Sequence, residues 1–184
     1  MPSFTKKGYP WTRQFFESDL RYVPKLKPKV FDAFEKYSGL RGQNLQAAFR
    51  SDYIPIVDIK HLPGHYGYTP PTGDEIWLDK TFITELELAL PSQNVPRNKR
   101  RYSPSELEIR LLMLLEATVL HEMVHFFRRK FDESARINAM SKNGRGTEEA
   151  WAREFEQKAY GKRYSVQNLL ISKYMPKTAA YSSE

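Results

Sequence analysis

The chain has 184 residues, of which 40% are hydrophobic and 28% charged, with a formal charge of +7 and no cysteine. That length suits one domain with a real core. The missing cysteine excludes a disulfide framework, a thiolate metal site and a cysteine nucleophile, so any metal must be held by histidine and carboxylate. No apolar run is long enough to span a bilayer, and none of signal-peptide length follows Lys6 and Lys7. The expectation is a chain without a signal peptide, cytoplasmic in the cell that makes it unless another machine moves it.

Residues 1–30 are rich in Tyr, Phe, Pro and Lys without a sustained period and predict an extended N-terminal arm packed on a single domain of residues 31–184. Phe31, Phe34 and Tyr37, spaced by three behind Pro28, predict an amphipathic helix ending near Gly39, and residues 44–50 another turn or two. The pattern Ile54, Ile56, Val57, Ile59 predicts a strand, and Ile76, Trp77 and Leu78 a second over Glu75 to Asp79. Between them, His61 to Gly73 reads as a loop. Phe82, Leu86 and Leu90 repeat at four and predict a helix over Thr81 to Leu90, followed by a basic connector from Pro91 to Arg101. Basic clusters at Lys25, Lys27 and Lys29, at Arg97 to Arg101, and at Arg128 to Lys130 read first as solvated surface, with a polyanion or anionic envelope as the sharper alternative.

The strongest helix signal begins at Ser103-Pro104-Ser105-Glu106, which offers an N-cap, proline at the first helical position and a glutamate three residues after the cap. Behind it, Leu107 to Lys130 is apolar nearly all round, as expected of a helix through the core. On that helix lies His121-Glu122-Met123-Val124-His125. Residues four apart share a helix face, so both imidazoles can reach one ion. Zinc favours such donors, and a catalytic site takes three protein ligands while leaving a position for water. Glu122, rotated about 100° from His121, is placed to act as general base on that water. A glutamate buried late in an apolar helix is costly to desolvate unless a cation or donor faces it.

The third ligand is expected from a second helix that opens near Thr147, a good N-cap, and carries Glu148 and Glu149. Helical geometry favours Glu148, because Ala152, Phe155 and Ala159 share its inward face. At these residues the sequence resembles the gluzincin branch of the HExxH zinc metallopeptidases, and Glu149-Ala150-Trp151-Ala152 matches the E-x-x-A form in which that branch carries its third ligand. The resemblance therefore favours Glu149. The aspartate that often follows is Arg153 here, which leaves the partner that would orient His121 unidentified. A metzincin would place a third histidine at position 131, where Phe131 stands.

The resemblance implies an α+β, zincin-like fold: a long buried active-site helix, a second ligand-bearing helix and a small sheet. It also implies a Zn²⁺ cofactor, a protein or peptide substrate, and a strand at Glu75 to Asp79 that borders the cleft and pairs with extended substrate. Small, basic, cysteine-free chains of this kind look like metallopeptidase effectors of bacterial toxin systems, including those on type VI secretion spikes. That implies a chain delivered into a target cell or its periplasm, with an immunity protein or a spike carrier as partner. Tyr160 is the candidate oxyanion donor. His61 and His65 also stand four apart, but Pro63 and Gly64 between them read as a loop and not a second metal site. The other readings are a basic protein binding nucleic acid or an anionic envelope, the former disfavoured by the scatter of Lys and Arg, or a catalytically inactive zincin-like interaction module.

Overall fold

The computed structural model describes residues 8–50, 55–90, 106–131 and 145–161. Pro10 and Pro28 each sit in the first turn of a helix, where a missing N–H is no loss. The first helix, α1 (Pro10–Gln14), runs through a π-helical turn (Phe15–Asp19) into α2 (Leu20–Leu26), and α3 (Pro28–Ser38) follows after Lys27. The expected extended arm is thus helical over residues 10–26. Its prolines disguise the period, and its start is tied down from outside: the backbone N–H groups of Trp11 and Thr12 donate to the Glu87 carboxylate at 3.1 and 2.7 Å, placing a negative charge at the positive end of a helix. Phe15, Phe16, Leu20 and Val23 join the same buried cluster as the rest of the core.

Helix α3 ends where its left-handed cap, Gly39 at φ 77°, turns the chain, and α4 (Gly42–Ala48) follows. Three strands form one small sheet, β1 (Ile56–Lys60), β2 (Gly67–Tyr68) and β3 (Glu75–Asp79). Their order is β1-β3-β2, with β1 parallel and β2 antiparallel to β3. Strand β2 lies inside the stretch expected as plain loop. Strand β3 is therefore the middle strand, paired with β1 along its whole length and with β2 opposite Trp77 and Leu78. An extended substrate has no free edge to pair with at Trp77 and Leu78, which narrows the role expected of Glu75 to Asp79. Asp79 ends β3 and caps α5 (Lys80–Ala89) by accepting from the Phe82 N–H at 2.9 Å.

Two long helices complete the structure, α6 (Glu106–Phe131) and α7 (Arg145–Tyr160). The Ser103 cap and the 91–101 connector lie outside the described residues. Helix α7 begins two residues before Thr147, which is therefore inside the helix and not its cap. Leu114, Leu115, Val119, Leu120, Met123 and Phe127 of α6 are all buried, because α6 lies between the sheet and helices α3 and α7. Phe34 of α3 meets Phe127 and Phe155 edge-on, at ring-centre distances of 6.2 and 6.1 Å, and so joins α3 to both long helices. Each such pair adds roughly 0.5–1.5 kcal/mol beyond its area burial. The result is the expected α+β architecture, with one long buried helix facing a small sheet on one side and a second long helix on the other.

Candidate metal centre

His121 and His125 stand one turn apart on α6, and their Nε2 atoms are 3.2 Å apart. Glu149, in the second turn of α7, brings Oε2 to 3.7 Å from Nε2 of His121 and 3.5 Å from Nε2 of His125. Two donors about 2.1 Å from a tetrahedral zinc lie about 3.4 Å apart, so these atoms already form a triangle of the size one ion requires. Among the described residues this is the one group of three histidine or acidic side chains able to hold a metal ion. The helix–helix contact that builds it also leaves it accessible. The Glu149 side chain is 42% exposed, whereas those of His121 and His125 are 12% and 9% exposed.

The other ring nitrogen of His121 is engaged as well: Nδ1 lies 2.6 Å from Oε1 of Glu156, on α7 two turns beyond Glu149. An Nδ1–H donated to that carboxylate fixes the tautomer and directs the Nε2 lone pair toward Glu149 and His125. Glu156 is the residue that the reading of the sequence missed, and it supplies what Arg153 could not. Its signal was the seven-residue spacing from Glu149, which repeats a helix face. Arg153 donates instead to Glu149 Oε1 at 2.9 Å. Electrostatics match the geometry. Burial opposes a charge on His121, but the Glu149 carboxylate beside it, the hydrogen bond to Glu156 and the nearby charge of Glu122 outweigh it and raise its pKa to about 10. The imidazoles of His121 and His125 beside it hold Glu149 well below the usual carboxylate range. Without a metal, the group is a proton held among carboxylates, the arrangement a divalent cation can replace.

Glu122 is buried between α6 and β2. Thr69 Oγ1 lies 2.8 Å from its Oε2 and 3.0 Å from its backbone carbonyl. Glu148 is buried, as its shared face with Ala152, Phe155 and Ala159 predicts, but that face points to Arg129 and not to the histidines. Arg129 Nη2 donates to Glu148 Oε2 at 2.9 Å, and its Nη1 donates to the carbonyls of Thr69 and Pro70. The structure therefore brings Glu149, and not Glu148, to the histidine pair. Tyr160 lies three turns beyond Glu149 and donates its hydroxyl to Glu116 Oε1 at 3.0 Å; burial and the Glu116 charge push its pKa well up. That commits its proton elsewhere. His61 and His65 lie in the segment between β1 and β2 and do not join the group. The basic run at Arg128 to Lys130 is engaged within the molecule: Arg128 on the Tyr37 carbonyl and the Trp151 ring, Arg129 as above, and Lys130 on Asp74.

Two imidazoles and a carboxylate converge on one point as a group able to hold a metal ion, with a buried glutamate beside the first imidazole. The chain belongs to the family described as metallopeptidase toxin 3, whose model matches residues 5–161. It is accordingly a toxin-type metallopeptidase domain acting on protein. No curated protein and no solved structure gives a significant match. Among the described residues no helix is long and apolar enough to cross a membrane.

Proposed function

We propose that the protein is a zinc-dependent peptidase of the gluzincin type, with His121, His125 and Glu149 as ligands and Glu122 as general base. The observation that carries this reading is the triangle of donor atoms, 3.2 to 3.7 Å on a side, contributed by two helices and braced by Glu156. A nitrogen–nitrogen–oxygen donor set with one exposed side suits zinc and leaves a position for water. Bound zinc supplies Lewis-acid polarisation of the scissile carbonyl and acidifies water. The protein's own residues do the rest. Glu122 accepts the proton of the attacking water and delivers it to the leaving amine. Glu156 keeps the His121 ring in place, and Arg153 steadies Glu149. The toxin family supports an antagonistic role: an effector carried by a secretion spike into a target cell or its periplasm, with an immunity protein guarding the producer.

The test is metal content by inductively coupled plasma mass spectrometry, with cleavage of a proteome-derived peptide library followed by mass spectrometry. About one zinc per chain is expected, lost in His121→Ala and Glu149→Ala and kept in Glu148→Ala. Glu122→Ala should keep its zinc and lose cleavage by at least 100-fold, the lower end of what general-base catalysis contributes. A chain that takes up no zinc, or a Glu122→Ala variant that cleaves as the wild type does, overturns the reading.

A further inference from the structure

On the reading of Glu122 as general base, we infer that Thr69 is a positioning residue that sets the orientation of the Glu122 carboxylate, with Gly67 and Arg129 holding the segment that carries it. A glutamate has three rotatable bonds and two equivalent oxygens, so a base that must meet one water needs one oxygen anchored and the other left open. Thr69 supplies the anchor. Thr69 is only 3% exposed and its hydroxyl lies 2.8 Å from Oε2, and the carboxylate is a stronger acceptor than the Glu122 carbonyl at 3.0 Å. Gly67 leaves the room. A Cβ there would come within 2.7 Å of Glu122 Cγ and 2.9 Å of Oε1, so any side chain on β2 at this point would displace the carboxylate.

The anchor is itself fixed. Arg129 donates to the carbonyls of Thr69 and of Pro70, one residue on, while its other nitrogens face Glu148. Glu148 precedes Glu149 in α7. One guanidinium, only 14% exposed in its side chain, thus ties the segment that orients the base to the turn that carries the third donor. The base, on α6 beside the two histidines, and the third donor, on α7, are therefore held in one frame. This gives Glu148 a role that no metal contact would explain.

The experiment compares zinc-loaded wild type with Thr69→Val, which keeps the shape and removes the donor, Thr69→Ser, which restores the donor, and Glu122→Ala. On the best-cleaved library peptide, Thr69→Val is expected to lower kcat about 10-fold with KM within twofold and with zinc content and melting temperature unchanged, while Thr69→Ser recovers most of kcat. An unchanged kcat in Thr69→Val overturns the inference. So does a loss that Thr69→Ser shares and that tracks melting temperature, because it marks a packing role. If the zinc-loaded wild type cleaves nothing, the peptidase reading fails on its own. Crystal structures of zinc-loaded wild type and Thr69→Val then decide: a Glu122 carboxylate turned to another rotamer in the variant supports Thr69 as its positioner, and an unmoved one overturns it.

Discussion

His121 carries the most conflicting demands of any side chain in the molecule. It must be neutral to ligate a metal, yet Glu149, Glu156 and Glu122 raise its pKa to about 10. At neutral pH the metal-free ring therefore holds a proton that an incoming cation has to displace. Zinc binding near pH 7.5 is expected to release about one proton, and apparent affinity should fall by about tenfold for each unit that the pH drops while His121 is the group titrating. Calorimetry in two buffers of different ionisation enthalpy counts the proton directly. Glu156→Gln should weaken zinc binding by about 10- to 100-fold, the cost typical of losing a carboxylate behind a histidine ligand. The histidine pair and Glu122 were legible in the sequence because their relation is local, fixed by one helix. Glu156 was not, because nothing in its neighbourhood says that its face of α7 will meet His121. Glu148 shows the limit of a periodic argument. Its burial followed correctly from Ala152, Phe155 and Ala159, but two neighbouring inward directions about 100° apart lead to different partners, and the histidines meet the less buried one.

Among the elements, the contact of α7 with α6 matters most, and the Glu148–Arg129 pair sits inside it. With side chains 2% and 14% exposed, removing one partner leaves the other charge buried. Glu148→Ala is expected to destabilise folding by about 3–5 kcal/mol, measured by urea denaturation of the zinc-free protein, while folded chains still take up one zinc. Loss of zinc without loss of stability would instead return Glu148 to the candidate ligands. The long helices, β1, β3 and α5 were readable because each has an apolar period and a clear stop. Strand β2 was not: two residues between a turn and a proline pair have no period, and only pairing with β3 makes them a strand. The helices of the N-terminal thirty residues were hidden for a related reason. Prolines at 10, 24 and 28 read as breaks, whereas Pro10 and Pro28 begin helices and Pro24 is carried inside α2.

For the molecule as a whole, the proposed ligand set links metal and fold, because donors from two helices meet only when the helices are docked. Zinc at 100 times its dissociation constant should add about 2.7 kcal/mol of stability, seen as a rise in melting temperature that a chelator abolishes and that His121→Ala lacks. The pH dependence separates the two states. In the metal-free protein the raised pKa of His121 contributes stability that is complete below its ordinary value of 6.5 and is lost as pH rises through about 10. The zinc-bound protein has already given up that proton and should not show that loss. Melting curves at pH 7 and pH 10, with and without chelator, distinguish these outcomes.

Glu149 lies 24 residues beyond His125, and that separation has a consequence for the unfolded chain. An unfolded chain keeps its two histidines close in sequence but loses the carboxylate to chain entropy, and two donors hold zinc far less tightly than three. With no cysteine to oxidise, nothing covalent marks the passage between the open and closed chain. On the proposed ligand set, hydrolytic competence depends on the docking of α7 on α6, so a chain that has not folded is expected to be inert.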